Sequence, residues 1–235
     1  MSAAETLAQI NALANAQFES PEFRQLLGTK LTLARARFFA IEMGRYVNNR
    51  RDCWGYVQGA APLDVKRLIW AHEQEELVLD PAVGMDHFTL ATREAEVLGL
   101  TPNDFETAEP HPGSSAAFYA WAYLAKDRPW LEAVAASSVL EVRNSGAIVT
   151  GGSLSSRIRQ KLIDELGLPA EKLINVNRHS VADEEHASLL ERVVNAHVAT
   201  EEDCQAVLRG ARASFLIDRA FRGALAAGMA ALAER

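Results

Sequence analysis

His179, Asp183 and His186 form a His-x3-Asp-x2-His pattern in a stretch that holds no glycine or proline. On a helix, steps of four and three residues return to nearly the same direction. The three side chains therefore fall within an arc of about 60°. Two imidazoles and a carboxylate on one stripe are a donor set suited to a divalent transition metal, iron above all. Glu184 and Glu185 point elsewhere, toward solvent. The same three residues also fit a plain polar helix face with ordinary ion pairs, so the pattern gains weight only if other segments supply more donors.

Two earlier regions do. Glu141 ends a run of apolar and small residues that includes Leu131, Val134, Ala136, Val139 and Leu140. A carboxylate there is costly to desolvate unless it is paired or coordinated; a pair with Arg143 is the simpler alternative. The second region is His72-Glu73-Gln74-Glu75-Glu76, followed by a break and His87. Leu68, His72, Glu75 and Leu79 share one helical face, and Glu76 lies about 100° from Glu75. Glu75 is thus expected inward, with Glu76 its close competitor, although such a charge run is commonly a solvated face. His87 stands among Met85, Phe88 and Leu90, where a satisfied core histidine is also common. His72 either supports a ligand or packs. Arg143, beside Glu141, is a candidate to bind a substrate carboxylate. Tyr119, Trp121, Tyr123 and Asn144 are further candidates to line a pocket, although core packing suits the aromatics.

One helix cannot surround a metal, so these donors need a bundle in which several helices point inward. Periodicity and capping signals predict one. A first helix runs from about Ala4 to Phe18, and Ser20-Pro21 opens a short second one. A third spans about Leu31 to Tyr46, and a separate one carries Cys53, Trp54 and Tyr56 to Gly59. Pro62 opens a helix through Glu75-Glu76-Leu77 that Asp80-Pro81 breaks. The next runs from His87 to Leu98 and stops at Gly99, with a short helical turn after Thr101. Residues 110–113 read as a loop. Helices follow at about Ser114–Lys126, Pro129–Asn144, Ser153–Leu166, from the His179 region to Ala196, and from Thr200 onward. No segment shows strand alternation, so all 235 residues are expected to form one all-α domain, a multi-helix bundle.

Composition agrees and excludes other classes. The chain is 49% hydrophobic with few aromatics, which favours helices over a sandwich. A net charge of −7 argues against a nucleic-acid partner. Arg50-Arg51 and Arg157/Arg159/Lys161 are the basic concentrations, and both read as solvated helix faces. Cys53 and Cys204 are too isolated for a metal knuckle or disulfide framework and read as buried reduced thiols. The N-terminus lacks a signal-peptide layout, and the last apolar stretch carries Asp218, Arg219 and Arg222, so neither export nor a membrane span is expected. A cytoplasmic protein is expected. Gly151-Gly152-Ser153 lacks the remainder of a phosphate loop, and Ser153 is better read as a helix cap. No serine or cysteine sits in a nucleophile elbow.

In chain order the donors read Glu75-Glu76, His87, Glu141, then His179-x3-Asp183-x2-His186, with Leu98-Gly99-Leu100 after the first histidine. This order resembles the haem-oxygenase-like diiron oxidases, which share their fold with thiaminase II and pyrroloquinoline-quinone synthase and include the chlamydial death-domain-associated p-aminobenzoate synthase. The resemblance covers most of the chain. It implies a haem-oxygenase-like bundle in which Glu75, His87, Glu141, His179, Asp183 and His186 bind two Fe(II) ions, with Glu141 shared between them. It implies dioxygen as co-substrate and a small organic substrate oxidised by N-oxygenation, desaturation or oxidative C–C cleavage, in natural-product or cofactor biosynthesis. An external reductant and a homodimer are consistent with it. Leu140 and Gly151 stand where the chlamydial protein has the tyrosine and lysine it consumes, so self-sacrificing p-aminobenzoate synthesis is not implied. The alternatives are a metal-free enzyme like thiaminase II or the quinone-cofactor synthase, and a non-enzymatic helical interaction protein.

Overall fold

In the computed structural model, residues 1–232 are described, with the side chains of residues 180–185 excepted. The chain runs as helices α1 (Ala3–Gln17), α2 (Pro21–Gly28), α3 (Leu33–Ala60), α4 (Leu63–Glu73), α5 (His87–Ala95), α6 (Pro102–Thr107), α7 (Pro112–Asp127), α8 (Trp130–Val142), α9 (Leu154–Leu166), α10 (Ile174–His197) and α11 (Glu201–Ala231). No strand occurs among the described residues. No helix among them is long and apolar enough to cross a membrane.

Local chemistry explains most boundaries. Ser2 and Thr200 form capping boxes with Glu5 and Asp203, and Ser20, Thr32 and Ser153 cap α2, α3 and α9. Gly99 and Gly167, both at positive φ, end their helices in the left-handed conformation that glycine adopts most readily.

Four expectations are corrected. The two helices predicted on either side of residue 50 are one, α3. The polar run Asn48–Arg51 contains no glycine or proline to stop the helix, and its arginines find partners inside the molecule. Arg50 is buried and donates to the Ser137 carbonyl at 3.0 Å, and Arg51 pairs with Glu76 at 2.6 Å. This pair is therefore not a solvated face. The expected loop at residues 110–113 is shortened because Pro112, lacking an N–H to leave unsatisfied, starts α7. The helix expected to continue through Leu77 widens instead into a π-turn at Gln74–Val78, closed by the Leu79 N–H on the Gln74 carbonyl at 2.8 Å.

α8 lies at the centre, with residues 131–140 all buried. α11 crosses it closely at Gly210, where a Cβ would stand 2.1 Å from the Glu132 carbonyl oxygen. This backbone contact brings Asp218 and Arg222 of α11 inside the molecule, where both are fully buried. α10 has no side-chain cap of its own; Glu94 of α5 supplies one, accepting from Asn175 N–H at 2.7 Å and Val176 N–H at 3.1 Å. A carboxylate suits the positive end of a helix dipole. Burial nevertheless lifts the Glu94 carboxyl to about 7, because it outweighs those two N–H donors and the nearby His179.

Two stability predictions result. Gly210→Ala should cost about 1–3 kcal/mol by overpacking, whereas Gly55→Ala, inside α3 with open space around it, should gain about 0.5–1 kcal/mol. Calorimetric melting of both variants decides this, and equal shifts would refute the α8–α11 contact. For Glu94 the folded pKa of about 7 lies above the ordinary value of 4.5. Its contribution is therefore fully present below pH 4.5 and is lost as pH rises through about 7. Glu94→Gln keeps an acceptor oxygen and does not titrate, so its denaturation midpoint should fall less than the wild-type midpoint across that window. Parallel pH profiles would exclude the assignment.

Candidate metal centre

Four helices and the π-turn converge beside the C-terminal end of α8. Two sets of metal-capable donors meet there, each with its ligand atoms within 4.8 Å of one another: His72, Glu141 and His186, and Glu76, His87 and His179. α4 supplies His72, the π-turn Glu76, α5 His87, α8 Glu141, and α10 both His179 and His186. The two α10 histidines are seven residues apart, two turns along one face, and each serves a different set.

The π-turn decides which glutamate faces the site. A wider turn needs more residues per revolution, so the residue returning toward the His72 direction is Glu76 rather than Glu75. The Glu76 side chain is 5% exposed and that of Glu75 is 28% exposed, which reverses the expected order. Leu77, Val78 and Leu79 turn out to solvent. Glu75 remains at the rim, 3.5 Å from His186 Nε2 and 3.3 Å from Arg178 Nη2.

Glu76 links the two sets. Its Oε1 lies 2.8 Å from His87 Nδ1 and 3.4 Å from His186 Nδ1, while its Oε2 accepts from Arg51 at 2.6 Å. Burial opposes its charge, but Arg51 and the hydrogen-bonded His87 hold the carboxyl well below the ordinary range. Burial likewise works against the charged form of His87, yet Glu76 and then Asp80 raise its pKa. His87 sits at the first position of α5 because Asp86 caps that helix, accepting from the Thr89 N–H at 2.9 Å. The loop from α4 closes through a bridge between Asp80 and Met85 and a positive φ at Gly84, which returns His87 to the π-turn.

Asp80 was legible in the sequence only as a helix breaker. Its Oδ1 does accept the Ala82 N–H at 2.8 Å as turn residues do, but its Oδ2 also lies 2.9 Å from His87 Nε2 and bonds Arg178. Such a carboxylate on the outer nitrogen fixes which ring nitrogen faces the metal side. His72 is equally more than packing. Its ring centroid is 4.4 Å from that of His186, its Nδ1 lies 2.9 Å from Glu73 Oε1, and burial and His186 lower its pKa to about 3. It is neutral at ordinary pH, as a ligand must be.

The donor set fits a metal on a second ground. His72 Nε2 and both ring nitrogens of His186 are buried without a hydrogen-bond partner among the described residues. Such nitrogens are costly unless something binds them. Asp183, the remaining residue of the α10 pattern, lies outside the described residues. Thus of the six expected ligands the structure brings His87, Glu141, His179 and His186 into the two sets, leaves Glu75 at their rim, and adds Glu76 and His72.

A cavity of about 150 Å³ opens against Glu76, Glu141 and His179. Its walls are mainly aliphatic, from Ala40 and Val47 of α3 to Ile158 and Leu162 of α9, and it also takes in Arg143 and Asn144. Tyr119, Trp121 and Tyr123 do not line it. Trp121 is a core residue that donates to Ser214 at 3.0 Å, and the two tyrosines are exposed. Both cysteines are buried free thiols away from the cavity lining.

Comparison with known proteins identifies the fold and the family. Two solved structures align at a TM-score near 0.75. A CADD-like protein of unknown function from Nostoc punctiforme has a TM-score of 0.75 and 18% identity, covering 96% of this chain and 97% of its own. A domain of unknown function with a haem-oxygenase-like fold from Shewanella denitrificans has 0.74 and 15%, covering 96% and 92%. A TenA homologue from P. horikoshii follows at 0.64 and 15% identity, covering 95% and 100%. These likenesses establish the haem-oxygenase-like fold. No functionally curated protein matches the chain. A sequence profile described as "iron-containing redox enzyme" matches residues 37–219, a span that takes in both donor sets, so the chain belongs to the family of iron-containing redox enzymes.

Proposed function

We propose that the protein is a nonhaem diiron oxidase or oxygenase that uses dioxygen to oxidise a small organic substrate. The observation that carries this reading is the pair of adjoining His/carboxylate sets joined at Glu76 Oε1, with buried imidazole nitrogens on His72 and His186 that have no hydrogen-bond partner among the described residues. Family membership supports iron as the metal. His87, His179 and Glu76 would hold one ion, and His72, His186 and Glu141 the other, with Asp183 and Glu75 as further donors. Bound ferrous iron supplies electrons for dioxygen activation; N-oxygenation, desaturation and oxidative C–C cleavage all lie within that chemistry.

The protein's own residues prepare the site. Asp80 takes the outer nitrogen of His87, orienting the ring so that Nδ1 faces Glu76. Arg51 holds the Glu76 carboxylate ionised and in place from the opposite side. Glu76 and Asp80 favour the charged form of His87, and a cation that takes Nδ1 competes with a proton there, so metal uptake should strengthen with pH. The aliphatic walls keep water away from the reacting substrate. A metal-free enzyme of this fold would leave His72 Nε2 and both ring nitrogens of His186 buried without a hydrogen-bond partner among the described residues.

Anaerobic loading with Fe(II), followed by iron analysis, is expected to give close to two irons per chain. His179→Ala and Glu141→Ala should lose iron while circular dichroism shows the helices retained. Chains that fold and still hold no iron would end this reading. The π-turn adds a sharper expectation: Glu76→Gln should reduce iron occupancy and oxygen consumption at least tenfold, and Glu75→Gln by much less. The reverse ranking would return Glu75 to the inward place.

A further inference from the structure

The cavity beside the metal centre has a charge imbalance that the ligand set does not explain. Arg50, Arg143 and Arg222 all line it, and all three are at most 2% exposed. One carboxylate is fully buried among them, Asp218. It is divided between Arg222 Nε at 3.0 Å on Oδ1 and Arg143 Nε at 2.8 Å on Oδ2. Arg50 spends a donor on the Ser137 carbonyl, a neutral acceptor. Arg222 offers Nη1 to the Met43 sulfur at 3.1 Å, a weak acceptor, and packs its guanidinium over the Phe221 ring at 4.8 Å and the Tyr46 ring at 5.3 Å. Among the described residues, Arg222 Nη2 and Arg50 Nε are buried without a hydrogen-bond partner.

The other carboxylates lining the cavity are committed elsewhere. Glu76 is bonded to Arg51 and His87, Glu94 caps α10, and Glu141 belongs with His72 and His186. Buried guanidinium groups in excess of carboxylate are costly, and proteins normally supply a counter-charge. Burial and Arg143 together press the Arg222 pKa downward against the opposing pull of Asp218, consistent with incomplete compensation. The rest of the wall is aliphatic. The cavity is about 150 Å³, the size at which an engineered apolar cavity accommodates a benzene molecule.

We propose that Arg222, with Arg143 and Arg50, binds the carboxylate of a small substrate whose apolar body, about as large as a benzene ring, fills the aliphatic space between α3 and α9. The guanidinium fork matches a carboxylate geometrically, and both orphaned N–H groups gain an acceptor. The body then lies in the cavity that Glu76, Glu141 and His179 also line, so the reacting carbon or nitrogen belongs to the apolar part and the acid group serves as the handle. This assignment of substrate class rests on the proposed function only for what happens after binding; the anion site is built from residues outside the ligand set.

Benzoate and its neutral isostere benzamide are the probes, titrated calorimetrically into the full chain before and after chelation, with iron measured on the same samples. Benzoate is expected to bind both forms comparably and benzamide about 10- to 100-fold more weakly. Arg222→Lys should weaken benzoate at least tenfold, and Ala40→Phe, which fills the cavity and leaves the arginines in place, should abolish binding with iron content unchanged. Should Arg222→Lys fail to fold, the benzoate–benzamide comparison on the wild-type chain still decides. Equal affinity for the two probes, no benzoate binding at millimolar concentration, benzoate binding that appears only with iron present, or full binding by Ala40→Phe would each overturn the inference. Iron retained without benzoate binding leaves the metal reading intact, and benzoate bound to a chain that takes up no iron does the converse.

Discussion

The Glu76 carboxylate is buried between a guanidinium and two imidazoles, and much of the architecture serves to keep it ionised there. A charge so deeply placed is tolerable only when surrounding groups replace its hydration. Arg51 can reach it because α3 runs unbroken through residues 48–51. His87 reaches it because the Asp80–Met85 bridge folds the loop back and Asp86 starts α5 at that residue. The π-turn makes Glu76, rather than its neighbour, the residue presented. Each element taken alone is unremarkable or mildly unfavourable; their combination is stable because every polar atom on the Glu76 carboxylate finds a partner.

The same logic of incomplete satisfaction marks the two places where something is missing. Among the described residues, His72 Nε2 and both ring nitrogens of His186 have no hydrogen-bond partner in the donor sets, and Arg222 Nη2 and Arg50 Nε have none beside the cavity. Buried polar groups in folded proteins are nearly always paired. Orphans of opposite chemical character therefore describe what each place would bind by its complement: cations for the lone pairs and an anion for the N–H donors. The close α8–α11 packing at Gly210 makes this arrangement accessible, since α11 carries Asp218 and Arg222 inward only because its backbone approaches α8 directly.

Legibility differed by kind of information. Helix starts at Ser20, Ser153 and Thr200 were readable because capping is a local bargain between neighbouring residues. The His179/His186 stripe was readable because helical spacing alone puts both on one face. The long α3 was not, since a polar run such as Asn48–Arg51 looks like a surface segment until partners from other helices are known. Glu76 was misranked because the angular comparison with Glu75 assumed regular α geometry, which the π-turn breaks. Asp80 carried only a turn signal, and His72 only an adjacency to acidic residues.

Residue types, helical periodicity and capping chemistry thus determined from sequence alone that the chain is an all-helical bundle, with histidines and carboxylates on several helices in an order like that of haem-oxygenase-like diiron oxidases. Only the tertiary structure decided which of two adjacent glutamates turns inward, that His72 joins His186, that Asp80 orients His87, and that two buried arginines share the Asp218 carboxylate while a third, Arg50, bonds a carbonyl. The division has a physical cause. Backbone hydrogen bonds and caps are set by residues a few positions apart, whereas the desolvation and pairing of a buried charge depend on partners that may be a hundred positions away, as Arg178 is from Asp80.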